Sequence, residues 1–161
     1  MKHLKKKIVH PIKGLVEFDI DAFSDMRGDI WSLHETSVDM PNFVEDKVSI
    51  STRNVLRGLH GDNDTWKLIT CLYGEFFLAV VDTRKDSATY NKSITFMFSH
   101  KKPKVVLVPA GCLNGHLCLS DECVFFYKWS KKYSGPENQI TARWDEPLYD
   151  INWPIDTPIL S

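Results

Sequence analysis

The sequence has 161 residues, 43% of them hydrophobic, which suits one domain (1–161) with a substantial core and leaves too little chain for two of ordinary size. Lys plus Arg number 20 against 21 Asp plus Glu, a formal net charge of −1, so no overall field favours nucleic acid or an acidic membrane surface. Any anion must be held by local charges.

The basic start Met1–Lys7 is followed only by Ile8-Val9 before His10 and Pro11, too short an apolar core for a signal peptide, and no run is long enough to span a membrane. Cys71, Cys112, Cys118 and Cys123 lack Cys-x-x-Cys spacing and sit in apolar or extended contexts, where small buried thiols fit. A cytoplasmic protein with free thiols is expected. The first element read along the chain is a short helix around Ile20–Asp25. Lys47–Leu56 then reads as one extended run through its β-branched residues and alternating polarity, which sets Arg57 and His60 near a strand end. Further strands are expected at Lys67–Tyr73, Glu75–Asp82, Ser93–Phe98, Lys104–Val108 and Glu122–Trp129. Gly74 separates two of them as a hairpin or bulge residue, and Pro109-Ala-Gly111 stops another. Lys101–Lys104 reads as a solvated basic turn, and the Pro- and Trp-rich tail from Asp145 to Ser161 as a loop wrapping the body. Many short strands at near-regular spacing favour an all-β barrel or double-sheet jelly roll with a few short helical turns.

The chemistry is concentrated in Arg57-Gly-Leu-His-Gly-Asp62, where a guanidinium and an imidazole stand three residues apart. Such a pair is also found as a satisfied structural contact, so it gains meaning only with partners. If the strands share one interior, Lys67 opens the next strand, Asn114 and His116 follow the Pro109 turn, and Tyr127 and Tyr133 lie on or after an aromatic strand. His, Lys and Tyr in one apolar pocket suit proton abstraction beside a carbonyl: a base removes the proton, a cation steadies the enolate oxygen and a phenol returns a proton on the other face. Arg27, Arg57 and Lys67 are the leading grips for anionic groups. Metal chemistry is the competing reading, but His60 has no His-x-His partner and His116 no adjacent carboxylate. No metal and no cofactor are expected. Neither a nucleophile elbow nor a phosphate-binding glycine loop is present.

Val55-Leu-Arg-Gly-Leu-His60, Lys67-Leu, Gly74-Glu, Val81-Asp-Thr-Arg84, Val108-Pro-Ala-Gly111, Leu119-Ser-Asp121, Tyr127-Lys128, Tyr133-Ser134 and Asp150–Pro154 occur in that order. Together they resemble the dTDP-4-dehydrorhamnose 3,5-epimerase family, from Asp25–Gly28 to the final Pro158–Ser161. The resemblance implies a cupin-type jelly roll without metal, a homodimer, and a nucleotide-diphosphate-linked 4-keto-6-deoxy sugar as substrate. It implies His60 as the base, Tyr127 as the acid on the opposite face and Lys67 near the enolate oxygen. Arg57 would bind substrate, Arg27 would reach the nucleotide phosphates, often from the partner subunit, and Tyr133 would line the pocket.

The departures from the family pattern cluster at the expected sugar pocket. Glu45 and Lys47 replace Gln and Asn ahead of the Ser49-x-Ser51 pair, Asn114 replaces a His, His116 stands where an aromatic is usual, and Ser32 replaces an acidic residue. Lys47, Ser49, Asn114 and His116 are therefore expected to bind substrate. With Gly61-Asp62 in place of Phe-Gln, they resemble a variant branch acting on nucleotide-activated 4-keto-6-deoxy heptoses or related deoxy sugars of surface polysaccharide. The family's dyad aspartate falls just past Ile159-Leu-Ser161 and has no match in this sequence. The expected activity is epimerisation at C3, or at C3 and C5; the alternatives are a 3,4-ketoisomerase on the same substrates and a catalytically silent sugar-nucleotide binding module.

Overall fold

The computed structural model describes residues 4–35 and 39–161; Met1–His3 of the basic start lie outside them. The chain forms strands β1 (Leu4–Val9), β2 (Val16–Ile20), β3 (Phe23–Asp25), β4 (Gly28–Ile30), β5 (Glu45–Thr52), β6 (Val55–Gly61) and β7 (Lys67–Tyr73). There follow β8 (Glu75–Asp82), β9 (Ser93–Ser99), β10 (Lys104–Val108), β11 (Cys112–Cys118), β12 (Glu122–Trp129), β13 (Ile140–Thr141) and β14 (Ile159–Leu160). One sheet runs β1-β2-β10-β7-β12-β5 and the other β13-β6-β11-β8-β9, with β14 alongside β6. All pairings are antiparallel except β14 on β6. This is the all-β jelly roll expected from the strand spacing. Among the described residues its helical content is two 3-10 turns, Pro136–Asn138 and Pro147–Tyr149.

The two sheets close over a core that includes Ile69, Phe76, Leu78, Val80, Phe98, Val106 and Phe125. Their outer faces are covered as well. Phe18, Leu68, Val105 and Leu107 pack under Leu33, Met40, Phe43 and Trp66, while Leu59, Val81 and Leu113 pack under Ile140 of β13 and Tyr149, Ile151 and Trp153 of the tail. Burial on both faces explains why β7 and β10 read as continuous apolar runs rather than as alternating ones, whereas β11, equally buried, carries Asn114, Gly115 and His116 at its centre and does not read as a strand in the sequence. The four cysteines are free and buried within this body.

Three expectations are corrected. The segment taken for a helix around Ile20–Asp25 is the end of β2 and the whole of β3, which turns back through Met26 and Arg27 into β4 as a small hairpin. Six residues with two aspartates and no cap fall short of the length at which helix propagation repays nucleation. The single run 47–56 is two strands, parted at Arg53-Asn54, where Asn54 takes φ 68°, a conformation Asn tolerates better than most residues. The tail is a wrapping loop that ends in a strand, with Ile159 and Leu160 paired to Val55 and Leu56.

Candidate active site

In a regular strand, residues three apart face opposite sides, so Arg57 and His60 should not share a surface. They do, because β6 is bulged. Asn114 of β11 pairs with His60 and His116 with Arg57, so Gly58 and Leu59 stand opposite the single Gly115. The extra residue reverses the alternation: Leu59 turns to the outer cluster, while Arg57 and His60 both line the interior cavity. Glycine is required for this geometry. Gly58 has φ 132°, and a Cβ there would lie 2.4 Å from the Gly115 Cα.

The remaining walls follow plain alternation. Lys47 and Ser49 come from one face of β5, Lys67 from the start of β7, Asn114 and His116 from β11, and Phe125, Tyr127 and Trp129 from β12. Cross-strand register sets Lys47 opposite Tyr127 and Lys67 opposite Trp129. Together with Tyr133, Gln139 and Thr141 they enclose a cavity of about 460 Å³. Thus nine of the ten expected site residues, all but Arg27, are brought into one cavity. Arg27 lies in the β3–β4 hairpin, exposed and paired with Asp25 at 2.6 Å, and it does not line this chain's cavity.

Three cations line the cavity, and its lining includes no Asp or Glu side chain. Lys67 is almost wholly buried and donates to the Asn114 Oδ1 at 2.9 Å and to the His60 carbonyl at 3.5 Å. Its pKa is pushed down to about 8, chiefly by burial, with the charge of Lys47 adding to the effect and that of Asp62 opposing it. Arg57 donates Nε to the Ser51 Oγ at 3.0 Å. Lys47 Nζ stands 4.3 Å from the Trp129 ring centre and 4.5 Å from that of Tyr133, with the Glu45 carboxylate at 3.2 Å. Such a cation–π cradle orders a lysine at a cavity mouth.

The titrating groups are set for proton transfer. His60 opens onto the cavity, and its pKa is lowered by desolvation and by the Lys67 charge, so the imidazole is a free base at neutral pH. Among the described residues no carboxylate contributes to that shift. Tyr127 is raised by burial and by the charge of Glu45, which keeps the phenol protonated. His116 is pushed down to about 3 by burial and by the nearby Arg57, and is therefore neutral. Asp62, which follows His60 by two positions, is occupied by the backbone N–H groups of Asp64 and Thr65 and by Gln139.

Sequence reasoning missed Phe125 and Trp129, although the period-2 pattern around Tyr127 would have identified both. Gln139 and Thr141 carry no such signal, because β13 is two residues long and is defined only by its pairing to His60 and Gly61. Among the described residues no helix is long and apolar enough to cross a membrane.

A family model described as dTDP-4-dehydrorhamnose 3,5-epimerase matches residues 9–161. The dTDP-4-dehydrorhamnose 3,5-epimerase of Methanothermobacter thermautotrophicus is 33% identical over 152 residues, covering 90% of this chain and 82% of its own. The crystal structure of dTDP-4-dehydrorhamnose 3,5-epimerase from Elizabethkingia anophelis superposes with a TM-score of 0.88 at 29% identity, covering 99% of this chain and 92% of that one. A dTDP-6-deoxy-D-glucose-3,5-epimerase from Legionella pneumophila, solved with dTDP-4-keto-L-rhamnose, gives 0.89 at 28% identity, covering 97% and 87%.

Proposed function

The chain belongs to the dTDP-4-dehydrorhamnose 3,5-epimerase family and is an isomerase of that epimerase class, and we propose that it inverts C3, or C3 and C5, of a nucleotide-diphosphate-linked 4-keto-6-deoxy sugar in deoxy-sugar biosynthesis. The observation that carries this reading is one cationic cavity lined by a free-base imidazole from one sheet and by a buried lysine and a protonated phenol from the other. His60 removes the proton α to the C4 ketone. The charge that develops on the ketone oxygen is met by the Lys67 ammonium, whose bond to Asn114 fixes its direction. Tyr127 delivers a proton to the opposite face of the planar enolate, which inverts the centre. Inversion at C5, the second carbon α to the ketone, requires only that the same base reach it.

Arg57 and Lys47 supply positive charge for the diphosphate. A homodimer is part of the reading. It is supported by β5, an edge strand that turns Val48 and Ile50 to solvent beside the exposed Val44 that precedes it, and by the β3–β4 hairpin, which exposes Phe23, Met26 and Ile30. In such a dimer Arg27, carried by that hairpin, would serve the partner's cavity. Four free buried thiols suit a reducing compartment such as the cytoplasm.

The test is incubation in heavy water with 4-keto-6-deoxy sugars linked to dTDP, GDP, CDP and UDP. Deuterium should enter at C3, with a second atom at C5 if both centres turn over, and product identification separates an epimer from a 3-keto isomer. Absence of exchange with all four nucleotides would refute the proposal.

A further inference from the structure

The rim of the cavity is held by a residue that does not line it. After β12 the segment 131–135 brings Tyr133 into the cavity lining, and Pro136, Gln139 and Thr141 of the stretch that follows continue the same wall. Among the described residues one hydrogen bond joins that segment to a strand: the Tyr133 backbone N–H donates to the Glu45 Oε2 at 2.9 Å. Its other hydrogen bonds run to Asn138 of the following turn. The second carboxylate oxygen of Glu45, Oε1, stands 3.2 Å from the Lys47 Nζ, which lies against the Trp129 and Tyr133 rings. One side chain at the start of β5 thus answers two donors, a backbone N–H and an ammonium, one on each oxygen. A carboxylate suits both, whereas an amide has one acceptor oxygen and would turn its NH2 group to the second donor. The Tyr133 N–H, ahead of Lys47, lowers the carboxyl pKa, so Glu45 is an anion at neutral pH.

We propose that Glu45 is a positioning residue for substrate binding, which fixes the Tyr133 segment and Lys47 together at the rim so that both are in place before the diphosphate-linked sugar arrives. A ligand that must itself order a loop and a long side chain binds more weakly by the freedom they lose, and ordering them beforehand removes that cost. The competing role is that of a bystander charge, and the two differ in sign. An anion at the rim of a cavity lined by three cations opposes an anionic ligand. Deleting a bystander would therefore lower KM, whereas deleting an anchor raises it. Neither role reaches the reacting atoms. The bonds of Glu45 go to Tyr133 and Lys47, and although its charge helps to raise the Tyr127 pKa, burial is the larger cause and keeps the phenol protonated at neutral pH without it.

The inference rests on the epimerase reading of the cavity, and one experiment separates the two. Initial rates of deuterium uptake are measured for the parent, Glu45→Ala and Glu45→Asp, using whichever 4-keto-6-deoxy sugar linked to dTDP, GDP, CDP or UDP the parent turns over fastest. Protection of the Tyr133 amide is followed by hydrogen exchange without sugar. Glu45→Ala should raise KM about fivefold or more while kcat stays within about twofold, and its Tyr133 amide should exchange about tenfold faster. Glu45→Asp keeps the charge but is one methylene shorter. It should raise KM in the same direction, and it decides the matter if the alanine variant does not fold. A KM that is unchanged or lower in the variants, or a Tyr133 amide as protected as in the parent, overturns the anchor and leaves the epimerase reading standing. No exchange by the parent with any of the four sugars overturns both.

Discussion

Lys67→Met isolates the energetic cost of the proposed mechanism. Lys67 is 4% exposed, and its pKa falls from 10.5 to about 8. Below about pH 8 the side chain is charged in both the folded and the unfolded chain, so the folded state bears the full cost of burying an ammonium. Between the folded and unfolded pKa values the unfolded chain binds more protons, so stability must rise with pH across that window. At 1.36 kcal/mol per unit, the parent should gain about 2–3 kcal/mol relative to Lys67→Met between pH 7 and pH 10. For a chain of this length that corresponds to about 5–10 °C in melting temperature.

The assay is paired denaturant or thermal unfolding of the two proteins across that pH range, read as their difference so that every other titrating group cancels. The variant should be inactive yet at least as stable as the parent at pH 7, the loss of a desolvated charge offsetting the unpaired Asn114 oxygen. A difference that stays flat or falls as pH rises would refute the argument. It would mean that Lys67 is hydrated in the cavity or paired more strongly than Asn114 and the His60 carbonyl allow.

The same two pKa shifts predict the rate profile: exchange should lose its base only below the ordinary histidine range, because the His60 pKa is lowered, and lose its ammonium near pH 8, both read from initial rates of deuterium uptake. His60→Asn should abolish exchange while leaving the circular dichroism spectrum and melting temperature within experimental scatter, and Tyr127→Phe should slow epimer formation more than exchange at the abstracted position. Gly58→Ala should destabilise the fold by about 3 kcal/mol or more, since it adds a Cβ at φ 132° and 2.4 Å from the Gly115 Cα; chemical denaturation measures it. Asp82 is wholly buried and, although burial raises its pKa, bonds from Arg84, Ser87 and Thr89 hold it below its ordinary value of 3.8. Its stabilisation is therefore present above that value and lost as pH falls, and Asp82→Asn should cost about 2–4 kcal/mol at pH 7 by urea unfolding.

How far the sequence carried is itself a physical matter. β7, β8, β10 and β12 begin and end where they were read, because glycine, proline or a polar cluster closes each one and their apolar runs are long, buried on both faces in β7, β8 and β10 and chiefly on one in β12. The β5–β6 turn escaped because it is made by Arg53 and Asn54 without glycine or proline, and β3 escaped because three exposed residues carry no period. The site was legible as a set of residue types but not as a surface. Strict alternation argues against a shared face for Arg57 and His60. What overrides it is a bulge opposite Gly115, a property of the register between strands more than fifty residues apart rather than of either segment alone. The ordered motifs named residues that share one cavity because they carry that register implicitly: Gly58, Gly61 and Gly115 are where β6 and β11 approach most closely, and a Cβ at Gly58 or Gly61 would fall 2.4 or 2.2 Å from the facing backbone. The shared face of Arg57 and His60 therefore depends on a backbone contact, and a substitution at Gly58 or Gly115 should separate them without altering any side chain that lines the cavity.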